Sequence, residues 1–157
     1  KQKYDSDYDS TCNYYRWKMT VSDKDLSSSF DSKISDVGII QNIYVRKRVS
    51  GGAAVSVVVE GDKNTVTLDS ESLIRQAFGN AAVTLETNGG TVNTPYLPST
   101  FCIFESQEKD GEKYFVITGG GFGHGIGMSQ NAVNAMTKRG MSYKDILEFF
   151  YPGTKVA

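Results

Sequence analysis

From Tyr15 to Val21 apolar and polar residues alternate, with Tyr15, Trp17, Met19 and Val21 sharing one face. A period of two predicts a strand with that face on a core. Ser22-Asp23-Lys24-Asp25 follows, with the form of a capping box, and predicts a short helix carrying Leu26 and Phe30. Val37 to Val49 is rich in β-branched residues and predicts the next strand. Gly51-Gly52 marks a tight turn before a further strand, Ala53 to Glu60. Asp62-Lys63-Asn64 turns again and Thr65 to Leu68 returns, which together predict an antiparallel meander with one face on a core.

Asp69 is the expected cap of a helix running through Leu73, Ile74, Ala77 and Phe78, with Gly79 as its C′ residue. Residues 80 to 99 read as a loop, with Asn88-Gly89-Gly90, Pro95 and Pro98. Phe101 to Glu105 and Tyr114 to Thr118 flank a charged turn at Lys109-Asp110-Gly111 and predict a hairpin. After a glycine-dense run comes a helix with Ala132, Val133 and Met136 on one face, stopped at Gly140. Ser142 caps a last helix, with Asp145 three residues on, and Ile146, Leu147, Phe149 and Phe150 make it apolar before Pro152-Gly153 ends it. The expected class is α+β: a mostly antiparallel β-sheet, short inserted helices, and two helices packed at the C-terminal end.

Composition narrows this picture. A chain of 157 residues is most simply one domain, here 1–157, and can bury roughly 70% of its unfolded surface without a staple. Hydrophobic residues make up 39% and charged residues 22%, an ordinary globular balance. Net charge is −1, and the one basic cluster, Arg46-Lys47-Arg48, alternates in direction if it lies on a strand; nucleic acid is not an expected partner. No apolar run approaches the ~18 residues of a membrane span. The chain starts Lys-Gln-Lys without methionine or a signal-type apolar core, so it reads as an excised segment, with any anchor or signal upstream. Cys12 and Cys102 would close a long loop if paired, worth ~4–5 kcal/mol on an entropic estimate; two unrelated thiols is the simpler reading. Neither has a metal-type neighbour, and neither a metal nor another cofactor is expected.

The densest chemistry is the run Gly119 to Gln130, GGGFGHGIGMSQ, with six glycines and the only histidine, His124. Glycine is the residue most costly to order, so this density implies positive φ angles or a close backbone approach. The strand–glycine–helix layout is that of phosphate loops, but no GxxxxGK[ST] is present, nor GxGxxG within the run. Two readings remain. The glycines let the chain cross tightly over the sheet with His124 satisfied internally. Alternatively, bare N–H groups and one imidazole line the floor of a cleft against which a polar polymer such as a glycan could lie, with Ser129 and Gln130 offering donors at a helix start. No GxSxG elbow surrounds Ser129, and Glu60, Glu86, Glu105 and Glu148 show no spacing that singles out a glycosidase pair.

The segment GGGFGHGIGMSQNAVNAMTKRGMSYKDILEFFYPGTKV closely resembles the C-terminal signature of the stage II sporulation protein D family, which includes the amidase enhancers. That signature is G-[RK]-G-[WF]-G-H-G-[VI]-G-M-S-Q, an alanine-rich helix, a glycine, S-Y-x-x-I-L and a closing YxGT. Its counterparts are Phe122 to Gln130, Gly140, Ser142-Tyr143, Ile146-Leu147 and Tyr151-Pro152-Gly153-Thr154. The stretch NYYRWKMTVS is similar to the family's N-Y-x-W strand, and the middle is similar in order of elements only, so the likeness extends over nearly the whole chain. Gly120 stands where the family often has a basic residue.

The resemblance implies peptidoglycan glycan strands as partner, and lytic transglycosylase chemistry at the MurNAc–GlcNAc bond leaving 1,6-anhydro-MurNAc ends. It implies an extracytoplasmic place at the cell wall or sporulation septum, with a membrane reached only through an upstream anchor. The family's catalytic glutamate lies in an upstream helical segment that has no counterpart in residues 1–157. The catalytic acid is therefore expected upstream of Lys1, and this chain is expected to be the C-terminal part of a larger domain. Gly121, Phe122, Gly123, His124, Gly125, Ser129 and Gln130 are the candidate substrate-binding residues. The alternative is a non-catalytic glycan-binding module or one that activates a cell-wall amidase; a purely structural half-domain is a third reading.

Overall fold

Ser22 closes one element and opens the next. It ends strand β1 (Trp17–Ser22) and caps helix α1 (Asp23–Lys33), its Oγ accepting the Asp25 N–H at 3.0 Å while the Asp25 carboxylate accepts the hydroxyl hydrogen at 2.7 Å. The alternation on either side of this junction is expressed as burial: Trp17, Met19, Val21, Leu26 and Phe30 all lie in one core. Tyr15 belongs to a 3-10 turn, Asn13–Tyr15, that leads into β1, and it is buried too.

The computed structural model describes residues 7–79 and 84–156; the Lys1-Gln-Lys start and the first residues of the 80–99 stretch lie outside them. Strands β2 (Ile40–Arg48), β3 (Ala54–Gly61) and β4 (Thr65–Leu68) form the expected antiparallel meander. Helix α2 (Glu71–Gly79) follows, then β5 (Thr84–Thr87), β6 (Gly90–Asn93), β7 (Cys102–Lys109) and β8 (Glu112–Gly119). These join β1 in a second sheet of order β6-β5-β1-β8-β7, antiparallel throughout. Helices α3 (Gln130–Lys138) and α4 (Tyr143–Phe150) close the chain. The class is α+β, as expected, with two sheets in place of one. Alternation fixes which face of a strand is buried and leaves its hydrogen-bonding neighbours open.

Helix α1 touches β1 and β8 of the larger sheet and β2 of the smaller, and α2 packs on α1 and β3. The seam is aromatic: Phe30 meets Phe78 at 5.4 Å between ring centroids, and Phe78 meets Phe104 at 4.8 Å. The central β1–β8 ladder runs from Trp17 opposite Gly119 to Ser22 opposite Tyr114, so the glycine run leaves the sheet at the end where β1 begins.

Three local expectations are corrected, and the C-terminal helices stand as expected. Residues 84–93, within the expected loop, form the β5–β6 hairpin; it has one buried apolar side chain, Leu85, too little alternation to see, and is held by pairing with β1 (Trp17 opposite Thr87, Met19 opposite Leu85). The cap of α2 is Ser70, whose hydroxyl accepts the Leu73 N–H at 3.1 Å, because the Asp69 carboxylate is taken by Ser56 Oγ at 2.6 Å. Gly79 is the last helical residue, and its lack of a side chain admits the backbone of Tyr96, whose Cα would lie 1.8 Å from a Cβ there. The C-terminal helices pack on each other, yet their buried residues Ala132, Met136 and Ile146 stand outside the main core. They are clasped instead by the segment before β1: Tyr8 meets Phe149 edge-on at 6.0 Å, lies under Arg139 at 4.6 Å, and donates to Met141 Sδ at 3.4 Å.

Candidate functional site

The glycine run has two halves with different geometry. Gly119 to Gly121 crosses tightly over the start of β1. A Cβ on Gly119 would stand 2.2 Å from Trp17 Cζ2, and one on Gly120 would stand 2.8 Å from the Tyr15 carbonyl oxygen. Both polar backbone groups of Gly121 are held from the N-terminal side: its N–H donates to the Tyr14 carbonyl at 2.8 Å and its carbonyl accepts the Trp17 Nε1–H at 3.1 Å. Gly120 is fixed by the Phe101 carbonyl at 3.1 Å and the Ser99 hydroxyl at 2.7 Å.

Beyond that crossing, every second residue is left-handed. The φ angles of Gly121, Gly123, Gly125 and Gly127 are +80°, +121°, +75° and +82°. Only glycine takes such angles freely, so the sequence period of two in glycine is a backbone period of two. Gly123 N–H donates to the Pro98 carbonyl at 2.8 Å, and Phe122 packs on Tyr14 at 4.8 Å between centroids. The N–H groups of His124, Gly125, Gly127 and Met128 make no bond among the described residues. All four residues are exposed.

His124 is exposed on this ribbon, and its Nδ1 accepts the Ile126 N–H at 3.0 Å. With Nδ1 occupied as acceptor, the neutral ring carries its hydrogen on Nε2 and presents it as a donor. Ser129 caps α3: its Oγ accepts the Ala132 N–H at 3.2 Å and lies 3.4 Å from Asp9 Oδ2, to which it donates. Gln130 is the first residue of α3 and is exposed.

All seven candidate residues line two adjoining concavities. One, of about 370 Å³, is enclosed by the ribbon itself from Phe122 through Gln130. The next, of about 440 Å³, shares Phe122 and Ser129 with it and adds Gly121, Asp9, Cys12, Tyr14 and Arg16. A third, of about 510 Å³, shares Arg16 with the second and extends over Phe101 to Ile103 as far as Arg48. Shared lining residues link the three in series, and together they are called the trough. Among the described residues Asp9 is the only acid lining it. Its Oδ1 is buried without a hydrogen-bond partner among the described residues, an arrangement that costs free energy in a merely structural role.

Sequence reasoning named the ribbon and missed Asp9, Arg16 and Arg48. Arg16 sits inside the NYYRW motif and could have been marked by it; nothing in the sequence marks Asp9 or Arg48 as neighbours of the ribbon.

The two cysteines are unpaired. Burial pushes the Cys102 thiol up to about 12, against a smaller opposing pull from the Arg48 guanidinium. Burial and then the Asp9 charge also raise Cys12. Neither thiol is a nucleophile at neutral pH. Among the described residues no cluster of His, Cys, Asp and Glu could hold a metal ion, and no helix is long and apolar enough to cross a membrane.

The sequence pattern of a family described as "Domain of unknown function (DUF8618)" matches residues 1–127. The protein named amidase enhancer of Bacillus subtilis (strain 168) is 55% identical over 47 residues, 30% of this chain and 6% of that protein. Stage II sporulation protein D of the same organism is 46% identical over 41 residues, 26% of this chain and 12% of that protein. Its counterpart from Bacillus amyloliquefaciens matches to the same extent. The relationship to the stage II sporulation protein D family thus holds over part of the chain, a narrower span than the order of elements suggested. The matched stretch is a small fraction of each relative's own length.

Proposed function

This chain belongs to the DUF8618 family, and from that premise we propose that it is the glycan-holding, C-terminal part of a peptidoglycan-remodelling domain of the sporulation protein D type. The observation that carries the reading is the exposed ribbon and the two adjoining concavities it lines. N–H groups without a partner among the described residues and the exposed imidazole of His124, whose Nδ1 accepts the Ile126 N–H, occur together there, on a backbone whose alternate positions are left-handed glycines. Such a surface suits the hydroxyl and acetamido oxygens of an extended sugar strand. The names amidase enhancer and stage II sporulation protein D, borne by relatives, support a sporulation-related role at the cell envelope.

In this reading the chain binds and aligns. Phe122, packed at a tilt on Tyr14, gives an apolar face for a sugar ring. His124 donates through Nε2 to the strand, and Gly121, Gly123 and Gly125 let it approach the backbone. Ser129 and Gln130 mark the α3 end of the site, with Ser129 committed to its cap. Cleavage to 1,6-anhydro ends needs one carboxylic acid that first protonates the leaving oxygen and then serves as base; we place that acid in residues preceding Lys1. The protein then acts outside the cytoplasm, at the wall.

The test has two arms. Chitooligosaccharides and peptide-stripped glycan strands are titrated against this chain and its His124→Ala variant, with at least a fivefold loss of affinity expected for the variant. The longer parent protein is incubated with stripped glycan, and anhydro ends are sought by mass spectrometry. Binding that His124→Ala leaves untouched removes the ribbon from the site; absence of anhydro product removes the transglycosylase reading.

A second reading is supported by the exposed side chains of Phe122, Ile126 and Met128 on the same ribbon and by the name amidase enhancer: a module that docks on and activates a wall amidase. Acceleration of an amidase by this chain, without glycan affinity, selects it.

A further inference from the structure

We propose that the segment Asp7 to Cys12 is a strap, and that its release lets helices α3 and α4 swing away from the β body as one unit and open the concavity beside the ribbon. The helical pair is joined to the body in two places. The first is covalent. As far as Gly123 the ribbon is bonded to the body, through the carbonyls of Phe101, Tyr14 and Pro98. From His124 to Met128 it makes no hydrogen bond to the body among the described residues. Gly125 and Gly127 lie in that stretch, and hinges are built from a few such loop residues that absorb a change in φ and ψ.

The second join is the strap. The Tyr8 ring meets Phe149 edge-on at 6.0 Å and Arg139 at 4.6 Å, and its hydroxyl donates to Met141 Sδ at 3.4 Å. Asp9 Oδ2 accepts the Ser129 hydroxyl hydrogen at 3.4 Å. Two adjacent residues thus touch the cap of α3, the turn between the helices, and α4. The strap is itself rooted in the body. The Asp7 carboxylate accepts the Tyr15 hydroxyl hydrogen. Asn88, at the β5–β6 turn, donates its backbone N–H to the Asn13 carbonyl at 2.9 Å and its side-chain amide to the Cys12 carbonyl at 3.2 Å.

This clasp is weak by its chemistry. Phe149 and Arg139 are exposed, and an aromatic pair or a cation over a ring contributes least where water reaches it. The buried residues of the helical pair, Ala132, Met136 and Ile146, stand outside the main core, so the pair can part without exposing that core. Units of this kind open below the free energy of global unfolding. The concavity of about 440 Å³ is lined from both sides of the join, by Asp9 and Cys12 of the strap and by Ser129 and Asn131 at the start of α3. A closed strap therefore sets its width. The strap operates in the chain alone, whatever polymer the ribbon takes.

The experiment is native-state hydrogen exchange of the 15N-labelled chain in rising urea, read amide by amide by NMR. The amides of α3 and α4 are expected to share one opening transition, distinct from and below that of Met19 and Ile117 in the central ladder. Tyr8→Ala should speed exchange in both helices about tenfold and leave Met19 and Ile117 unchanged. Asp9→Ala, which keeps the Tyr8 ring, is the second variant and should speed both helices about threefold. A single transition shared by helices and core, or helices that open independently of each other, overturns the strap. So does a Tyr8→Ala protein that loses protection equally everywhere or fails to fold, since the segment would then belong to the core. Helical exchange unchanged in both variants overturns it as well.

Discussion

The indole of Trp17 holds Gly121 and excludes a side chain from Gly119. Its Nε1–H donates to the Gly121 carbonyl at 3.1 Å, while its six-membered ring occupies the space a Cβ on Gly119 would need, 2.2 Å from Cζ2. Trp17 is also 2% exposed and part of the main core. Core packing and the placement of the glycine ribbon are therefore one event, and disturbing either residue disturbs both.

A double-mutant cycle tests that coupling. Gly119→Ala alone should destabilise the fold by about 1–3 kcal/mol through overpacking. Trp17→Phe should cost a similar amount through lost volume and the lost hydrogen bond. The atoms that clash with a Cβ at 119 belong to the benzo ring that phenylalanine lacks, so Gly119→Ala should cost at least 1 kcal/mol less in the Trp17→Phe background. Urea midpoints of the four proteins measure it; additive costs would refute the coupling.

The ribbon glycines should differ in sensitivity. At Gly125 an alanine meets both a φ of +75° and the Phe101 ring, 2.3 Å from the Cβ. At Gly123 the φ is +121°, but nothing lies within 4 Å. Gly123→Ala should therefore cost backbone strain alone, on the order of 1–2 kcal/mol, and Gly125→Ala more. Thermal unfolding of the two variants ranks them, and a larger loss at Gly123 would contradict the geometry.

Cys102 should set part of the alkaline limit of stability. Its thiol, raised to about 12 from a reference of 9.0, stays protonated in the fold while the unfolded chain loses its proton. The unfolded state thus binds fewer protons between these values, and stability falls as pH rises, by up to about 1.4 kcal/mol per unit. The full contribution is present below pH ~9. Cys102→Ala should flatten the decline measured by denaturant unfolding between pH 9 and 11, and thiol-directed alkylation at pH 8 should modify Cys12 first. Equal labelling rates would show that Cys102 is accessible.

Much of this architecture is legible in the chain because local signals and burial agree. Tyr15 to Val21 alternates and is buried on the expected face; Ser22, Ser129 and Ser142 cap the helices that follow them. What escaped is long-range. The division into two sheets depends on which strands pair, and the β5–β6 hairpin depends on β1 for its stability. At the site, the glycine run announced itself by composition. Its neighbours did not: Asp9 and Arg48 reach the trough from segments more than 70 residues away along the chain, and no local pattern records that meeting.

The alternation of left-handed glycines from Gly121 to Gly127 halves the alphabet of this ribbon. At four of its positions an L-amino acid is strained and a D-amino acid is at home, so chemical variety can enter only at Phe122, His124 and Ile126. The ribbon therefore works as a three-letter word spelled on an otherwise mute backbone. Retuning what it recognises means rewriting those letters, while the spacing between them is set by chirality itself.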